Sequence, residues 1–125
     1  MPNYIWPTIT PATKIDELKE IHRQIWDYVL THELSKPMTR YIANCSACEY
    51  VFRKENDLLP FSAEFCEHCP IKWPNGMICP LDESLYEQFL HYKGMYLLYK
   101  RNADLCKTFD LVEQIRNVEW KDDLP

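Results

Sequence analysis

Glycine is scarce in this sequence, with only two glycines among 125 residues. The phosphate-binding loops G-x-G-x-x-G and G-x-x-x-x-G-K-[ST] are therefore excluded, because each needs glycines at fixed spacings. Long apolar runs are missing too, since the longest, residues 95–99, is far shorter than the roughly 18 residues of a membrane span. The first residues lack the basic and apolar regions of a secretory signal peptide. We therefore expect a protein without a membrane segment that stays in the cytoplasm.

Basic residues are also in the minority, 14 against 19 acidic ones, and the formal net charge is -5. A protein that binds nucleic acid through its phosphates relies on a surplus of Lys and Arg. Most of the deficit lies in residues 45–83, which hold seven acidic and three basic side chains. The charge therefore argues against nucleic acid as a partner.

Hydrophobic residues make up 46% of the chain and aromatic residues 14%, which is enough to bury a modest core. Residues 1–125 are expected to form one mainly α domain. About three helices should surround a small irregular segment that zinc stabilises, with little or no β structure.

Apolar residues three and four positions apart predict the first helix over residues 13–34. Thr13 is its expected N-cap, and Pro37 is expected to end it.

A helical C-terminal part is predicted over residues 82–119, with Asp82 as its cap and a bend near Asn102. Cys106 is expected in the core, and Trp120 is expected to cover the core. The predicted apolar stripes consist of Leu85, Phe89, Tyr92, Tyr96, Leu97, Leu98, Leu105, Phe109, Val112 and Ile115.

Residues 38–83 show no sustained period and little that indicates a helix. Tyr50-Val51-Phe52 predicts a short strand, and Ser62 predicts a capped helical turn that Pro70 stops. Side chains alone give this segment little core, so another organising element is expected.

That element is indicated by Cys45-Ser-Ala-Cys48 and Cys66-Glu-His-Cys69, two C-x-x-C pairs separated by 17 residues. Two such turns supply the four thiolates of one tetrahedral zinc site, or less often of an iron–sulfur cluster. A secreted disulfide framework is disfavoured, because the chain has no export signal and is long enough for a core.

The choice of ligands stays open among five cysteines, because Cys79 follows Cys69 in the same stretch and can replace Cys66 or Cys69. His68 is a weaker candidate. A zinc ion closed by four thiolates is structural rather than catalytic. The motifs of zinc deaminases are missing, and the C-x-x-C pairs lack the βαβ context of a thioredoxin-type site.

The remaining histidines, His22, His32 and His91, are scattered among polar neighbours and are expected to be solvated or half-buried. The sequence therefore predicts a protein that is not an enzyme, and an enzyme that uses the zinc is the weakest alternative.

Aromatic and acidic residues of the middle segment suggest a protein partner, because Trp and Tyr are favoured at interfaces. The candidate partner-binding residues are Trp73, Glu64, Glu67 and Tyr99. The alternative is a nucleic-acid-associated regulator whose few basic residues gather on one face. Those basic residues are Lys93, Lys100, Arg101, Lys107 and Arg116.

The pattern C-x-x-C, then C-x-x-C-P-x-x-W from Cys66 to Trp73, then Cys79, resembles small uncharacterised proteins of tailed bacteriophages. The resemblance extends to the string Ile-Arg-Asn-Val-Glu-Trp-Lys at residues 115–121. It implies a zinc-binding phage accessory protein in the host cytoplasm, with Cys79 among the ligands and a final helix docked by Trp120. It implies no catalytic activity.

Overall fold

The computed structural model describes residues 6–32, 34, 39, 41–42, 45–55, 57–59, 62–74 and 84–121. In these residues the chain is mainly helical, which confirms the predicted fold class, although the helices number five rather than about three. No helix in the described ranges is both long and apolar enough to cross a membrane. The elements are α1 (Ile15–Thr31), α2 (Ser46–Lys54), α3 (Ala63–Glu67), β1 (Ile71–Lys72), α4 (Leu85–Tyr99), α5 (Asn102–Arg116) and β2 (Glu119–Trp120).

Helix α1 is shorter at both ends than predicted. Lys14 is its N-cap, because the Thr13 hydroxyl instead accepts the Thr10 N–H at 2.9 Å and closes a turn ahead of the helix. The helix ends at Thr31, well before Pro37, which lies outside the described residues. Beyond it, Leu34 has a left-handed backbone with φ 62, and its N–H bonds back to the carbonyl of α1 residue 29 at 2.9 Å. The buried face of α1 consists of Leu18, Ile21, His22, Ile25, Trp26 and Val29.

Helix α2 replaces the strand predicted at Tyr50-Val51-Phe52, so that prediction was wrong. Tyr50 and Val51 are buried on the same face, which a helix produces and an alternating strand does not. The start of α2 is fixed to α1 by a buried hydrogen bond in which the Ser46 hydroxyl donates to the Leu18 carbonyl at 3.0 Å.

Helix α3 confirms the predicted capped turn, because the Ser62 hydroxyl accepts the Phe65 N–H at 3.2 Å. Strand β1 follows it and pairs antiparallel with β2, so that Ile71 lies opposite Trp120. The Lys121 N–H donates to the Pro70 carbonyl at 2.8 Å and extends this pairing. The second C-x-x-C pair is therefore attached to the end of the chain, and Trp120 is buried as expected.

Helices α4 and α5 form a hairpin and pack chiefly against each other. Ser84 caps α4 by accepting the Glu87 N–H at 3.2 Å, while the predicted cap, Asp82, lies outside the described residues. Lys100 adopts a left-handed backbone with φ 55 between the helices, next to the bend predicted at Asn102.

The predicted apolar stripe of this hairpin was wrong in part. Leu97 and Leu98 are 57% and 74% exposed, because the end of α4 extends past the core. Cys106, expected in the core, is exposed, and Phe109 lies at the surface. Helix α5 instead buries Asp104, Thr108, Leu111, Val112 and Ile115.

Two polar residues can be buried on α5 because their polar atoms find partners close by. Arg101 donates to the Asp104 carboxylate at 2.7 Å, and the Thr108 hydroxyl donates to the Asp104 carbonyl at 2.7 Å. Satisfied polar groups cost little when buried. The helix can therefore turn this face, rather than the one with Cys106 and Phe109, towards the interior.

Candidate metal centre

The first cysteine pair lies at the start of α2. Cys45 is the N-cap residue and is half-buried, and Cys48 lies three residues on, in the first turn, and is buried. Ser46, between them, is fixed to α1 through Leu18. The helix thus presents both sulfurs from one turn, and the partial positive charge of its N-terminus favours a thiolate there.

The pKa of the Cys45 thiol is held well below its ordinary value. The largest cause is a hydrogen bond from the Cys48 thiol, which works against the opposing effect of burial. His22 lowers the pKa further through a hydrogen bond and its charge, and the Cys48 backbone N–H adds to this without completing a regular N-cap hydrogen bond. Cys45 is therefore prepared to be a thiolate.

His22 is buried on α1 at 2% exposure, so the expectation that it is solvated or half-buried was wrong. Its Nε2 lies 2.8 Å from the carbonyl oxygen of Ile115 on α5. Because a carbonyl only accepts, Nε2 must carry a hydrogen, so in the neutral form of the ring the lone pair lies on Nδ1. Among the described residues, Nδ1 has no hydrogen bond of regular geometry. Because the Ile115 carbonyl binds Nε2, Nδ1 is the ring nitrogen that remains to interact with Cys45.

Two tryptophans hold the His22 ring in this orientation. Trp120 from β2 meets it edge-on with 5.6 Å between ring centroids, and Trp26 lies 6.4 Å away at a tilt. The other two histidines fit the sequence-based expectation, since His32 is half-buried and stacked on Tyr28, and His91 is exposed.

The second pair, Cys66 and Cys69, is buried at the end of α3. The Cys69 N–H donates to the Cys66 carbonyl at 3.1 Å, which makes this pair a helical turn as well. His68, the weaker ligand candidate, has its Nδ1 4.0 Å from a carboxylate oxygen of Glu55.

No three His, Cys, Asp or Glu side chains within the described ranges are close enough together to hold a metal ion. Cys79 lies outside those ranges. Zinc binding by four of Cys45, Cys48, Cys66, Cys69 and Cys79 therefore stays a prediction.

Trp73, the main candidate for partner binding, is half-buried against the core and lines an open groove of about 660 Å³. The groove lies between the residues after β1 and the C-terminal half of α5. Its other apolar residues are Pro74, Leu85 and Val118, and its acidic ones are Asp110, Glu113 and Glu119.

Tyr99 belongs to a different surface. It is 60% exposed at the end of α4, with the Arg101 guanidinium 5.0 Å from its ring centroid. The first α5 residue that lines the groove of Trp73 is Asp110. It lies nine residues beyond Arg101, or about 13 Å at the rise of an α-helix. Glu64 and Glu67 are exposed on α3.

The basic residues of the alternative hypothesis divide between two surfaces. Arg116 pairs with Asp27 on α1 at 2.5 Å and lines a second groove, of about 450 Å³, with three further basic side chains, Lys19, Arg23 and Lys72. The others lie on the α4–α5 hairpin, each with its cation over an aromatic ring. They are Lys93, Lys100, Arg101 and Lys107.

No protein-family model, curated protein or solved structure matches the chain.

Proposed function

We propose that the protein is a non-enzymatic, zinc-stabilised protein-binding factor. The observation that carries the proposal is the first cysteine pair, in which Cys45 at the N-cap of α2 interacts with Cys48 and is poised as a thiolate. Zinc binds cysteine in this ionised form.

Zinc would be held by four of the clustered cysteines, Cys45, Cys48, Cys66, Cys69 and Cys79. The ion would supply a cross-link between segments that are far apart in sequence. In the described part of the middle segment, α2 and α3 are short helices of nine and five residues, too short to be stable alone. A site closed by four protein ligands leaves no position for substrate, which supports a structural role.

The partner site we propose is the groove beside Trp73. A half-buried indole, in a groove that Leu85 and Val118 also line, offers an apolar anchor point, and the charged side chains of the groove are three carboxylates and one lysine, Lys72. This combination suits a partner segment with an apolar side chain flanked by basic residues. The resemblance to phage proteins supports, as part of the same proposal, a cytoplasmic accessory role towards a host or defence protein.

The metal content of the purified protein tests the first part of the proposal, that the protein binds zinc. Protein purified without chelator should contain about one zinc per chain, following the usual stoichiometry of a four-cysteine site. Cys45→Ser should lose the metal, whereas Cys106→Ala, the matched control on the exposed face of α5, should keep it. Folded, metal-free wild-type protein would contradict the proposal, and iron with a brown colour would reassign the site to an iron–sulfur cluster.

Two aromatic substitutions on separate surfaces test the partner site. Wild-type, Trp73→Ala and Tyr99→Ala proteins are exposed to one host lysate, and captured proteins are quantified by mass spectrometry. Loss of a central aromatic anchor costs about 2 kcal/mol or more, so Trp73→Ala should lose the partner that Tyr99→Ala retains. If Trp73→Ala instead loses helicity by circular dichroism, Trp73 belongs to the core and the proposed site is wrong.

A second candidate, a nucleic-acid-associated regulator, is favoured by the basic groove at Lys72 and Arg116. It predicts submicromolar binding of a fluorescent single-stranded oligonucleotide at about 150 mM salt, lost in Lys72→Glu. The net charge of -5 favours the opposite result, binding that is weak for wild type and variant alike.

A further inference from the structure

We infer that His22, through its Nδ1 atom, is a ligand of the zinc ion together with Cys45 and Cys48. This inference rests on the zinc centre proposed above and adds a residue that the cysteine spacing does not contain.

The first reason is burial. His22 is 2% exposed, yet Nδ1 makes no regular hydrogen bond with the described residues, and an unsatisfied buried polar atom destabilises the fold. A buried atom without a hydrogen-bond partner calls for an explanation, and a bound metal ion would provide one.

The second reason is the way the ring is held. A metal-binding histidine usually donates its other ring N–H to a carbonyl or carboxylate, which fixes the tautomer and aims the lone pair at the metal. His22 has this arrangement, with Nε2–H directed at the Ile115 carbonyl at 2.8 Å and Trp120 against the ring.

The third reason is the neighbour on the free side of the ring. The Cys45 sulfur lies close enough to His22 and to Cys48 to interact with both. The three side chains do not yet satisfy the spacing of a metal-binding group. Zinc would therefore draw Nδ1 and the Cys48 sulfur together around it.

The ligand set changes as a consequence. Zinc in structural sites takes four ligands, so one further cysteine, Cys66 or Cys69 among the described residues, completes the set. The ion then links α1 and α2 directly, and links α5 through the Ile115 carbonyl.

His22→Gln is the informative variant. The glutamine amide N–H can replace Nε2–H at the Ile115 carbonyl, whereas no atom replaces Nδ1 as a zinc ligand. His91→Gln, an exposed site on α4, is the matched control. Zinc affinity is measured by competition with a chromophoric chelator. Loss of a ligand should weaken binding by more than about 100-fold, beyond the 10- to 100-fold typical of residues that only support a ligand.

A measurement on the wild-type protein covers the case in which His22→Gln fails to fold. Long-range ¹H–¹⁵N NMR of the imidazoles, recorded before and after addition of zinc, should show the His22 Nδ1 resonance moving to the range of a metal-bound nitrogen. Zinc binding with an unchanged Nδ1 resonance, or equal affinities of the His22 and His91 variants, would overturn the inference and leave the zinc centre standing. A wild-type protein that binds no zinc would overturn both.

Discussion

At the scale of single residues, burial changes chemistry that the sequence leaves ordinary. Tyr41 is buried, and its hydroxyl donates to the Pro7 carbonyl. Burial first, and the negative charge of Glu49 second, raise the pKa of Tyr41 to about 12. The folded protein therefore keeps the phenol neutral well above the value of about 10 that applies to an unfolded chain.

This shift gives a prediction about alkaline pH. Because the folded state holds the proton more tightly, Tyr41 stabilises the fold fully below pH 10, and this contribution is lost as pH rises towards 12. The free energy of unfolding in urea should fall more steeply over that range for wild type than for Tyr41→Phe, which cannot titrate. Parallel curves for the two proteins would show that Tyr41 is not responsible.

At the scale of elements, the decisive feature is which face α5 turns inwards. Leu111 is 1% exposed and Phe109 is 36% exposed, although the sequence pattern placed Phe109 in the core. The reason is that Asp104 and Thr108 satisfy their polar atoms locally, so the face that contains them can be buried.

Paired truncations test this orientation. Leu111→Ala should lower the free energy of unfolding by about 2–5 kcal/mol, as expected for a buried leucine. Phe109→Ala should cost less than half as much, despite removing the larger side chain, because much of that side chain is already in water. A larger loss for Phe109 in urea unfolding would mean that α5 is rotated from the position described.

At the scale of the whole molecule, the parts of the fold differ in what holds them. The apolar core includes residues from all five helices, but α2 and α3, which are short, also carry the cysteine pairs. If zinc organises the middle segment, removal of the zinc should unfold α2 and α3 before the other helices.

Hydrogen exchange with and without a strong chelator measures this difference. Chelation should remove amide protection from α2, α3 and β1, while α1 and α5 keep most of theirs. Unchanged protection in α2 would contradict a structural metal. A uniform loss over all helices would instead mean that the whole fold depends on the ion.

The sequence alone predicts those features of the fold that depend on residues close together along the chain. The mainly helical class, the stripe of α1 around Leu18 and Ile25, and the cap at Ser62 all follow from short-range spacing, and the structure contains each of them. The cap of α4 could also have been predicted, since Ser84-Leu-Tyr-Glu87 has the form of a capping box. The predicted cap was Asp82 instead.

What the tertiary structure decided depends on contacts between distant residues. His22 has polar sequence neighbours, and only the packing of Trp120 and Ile115 against α1 buries it and places it near Cys45. The pairing of β1 with β2 likewise joins two-residue strands whose sequences carry no signal of their own. Spacing along the chain determines which side chains share a helix face or a turn, and so it predicted α1, the helical C-terminal part and the two C-x-x-C pairs, although not α2. It does not determine which face meets which, because that choice minimises unsatisfied polar groups and exposed apolar surface over the whole chain at once.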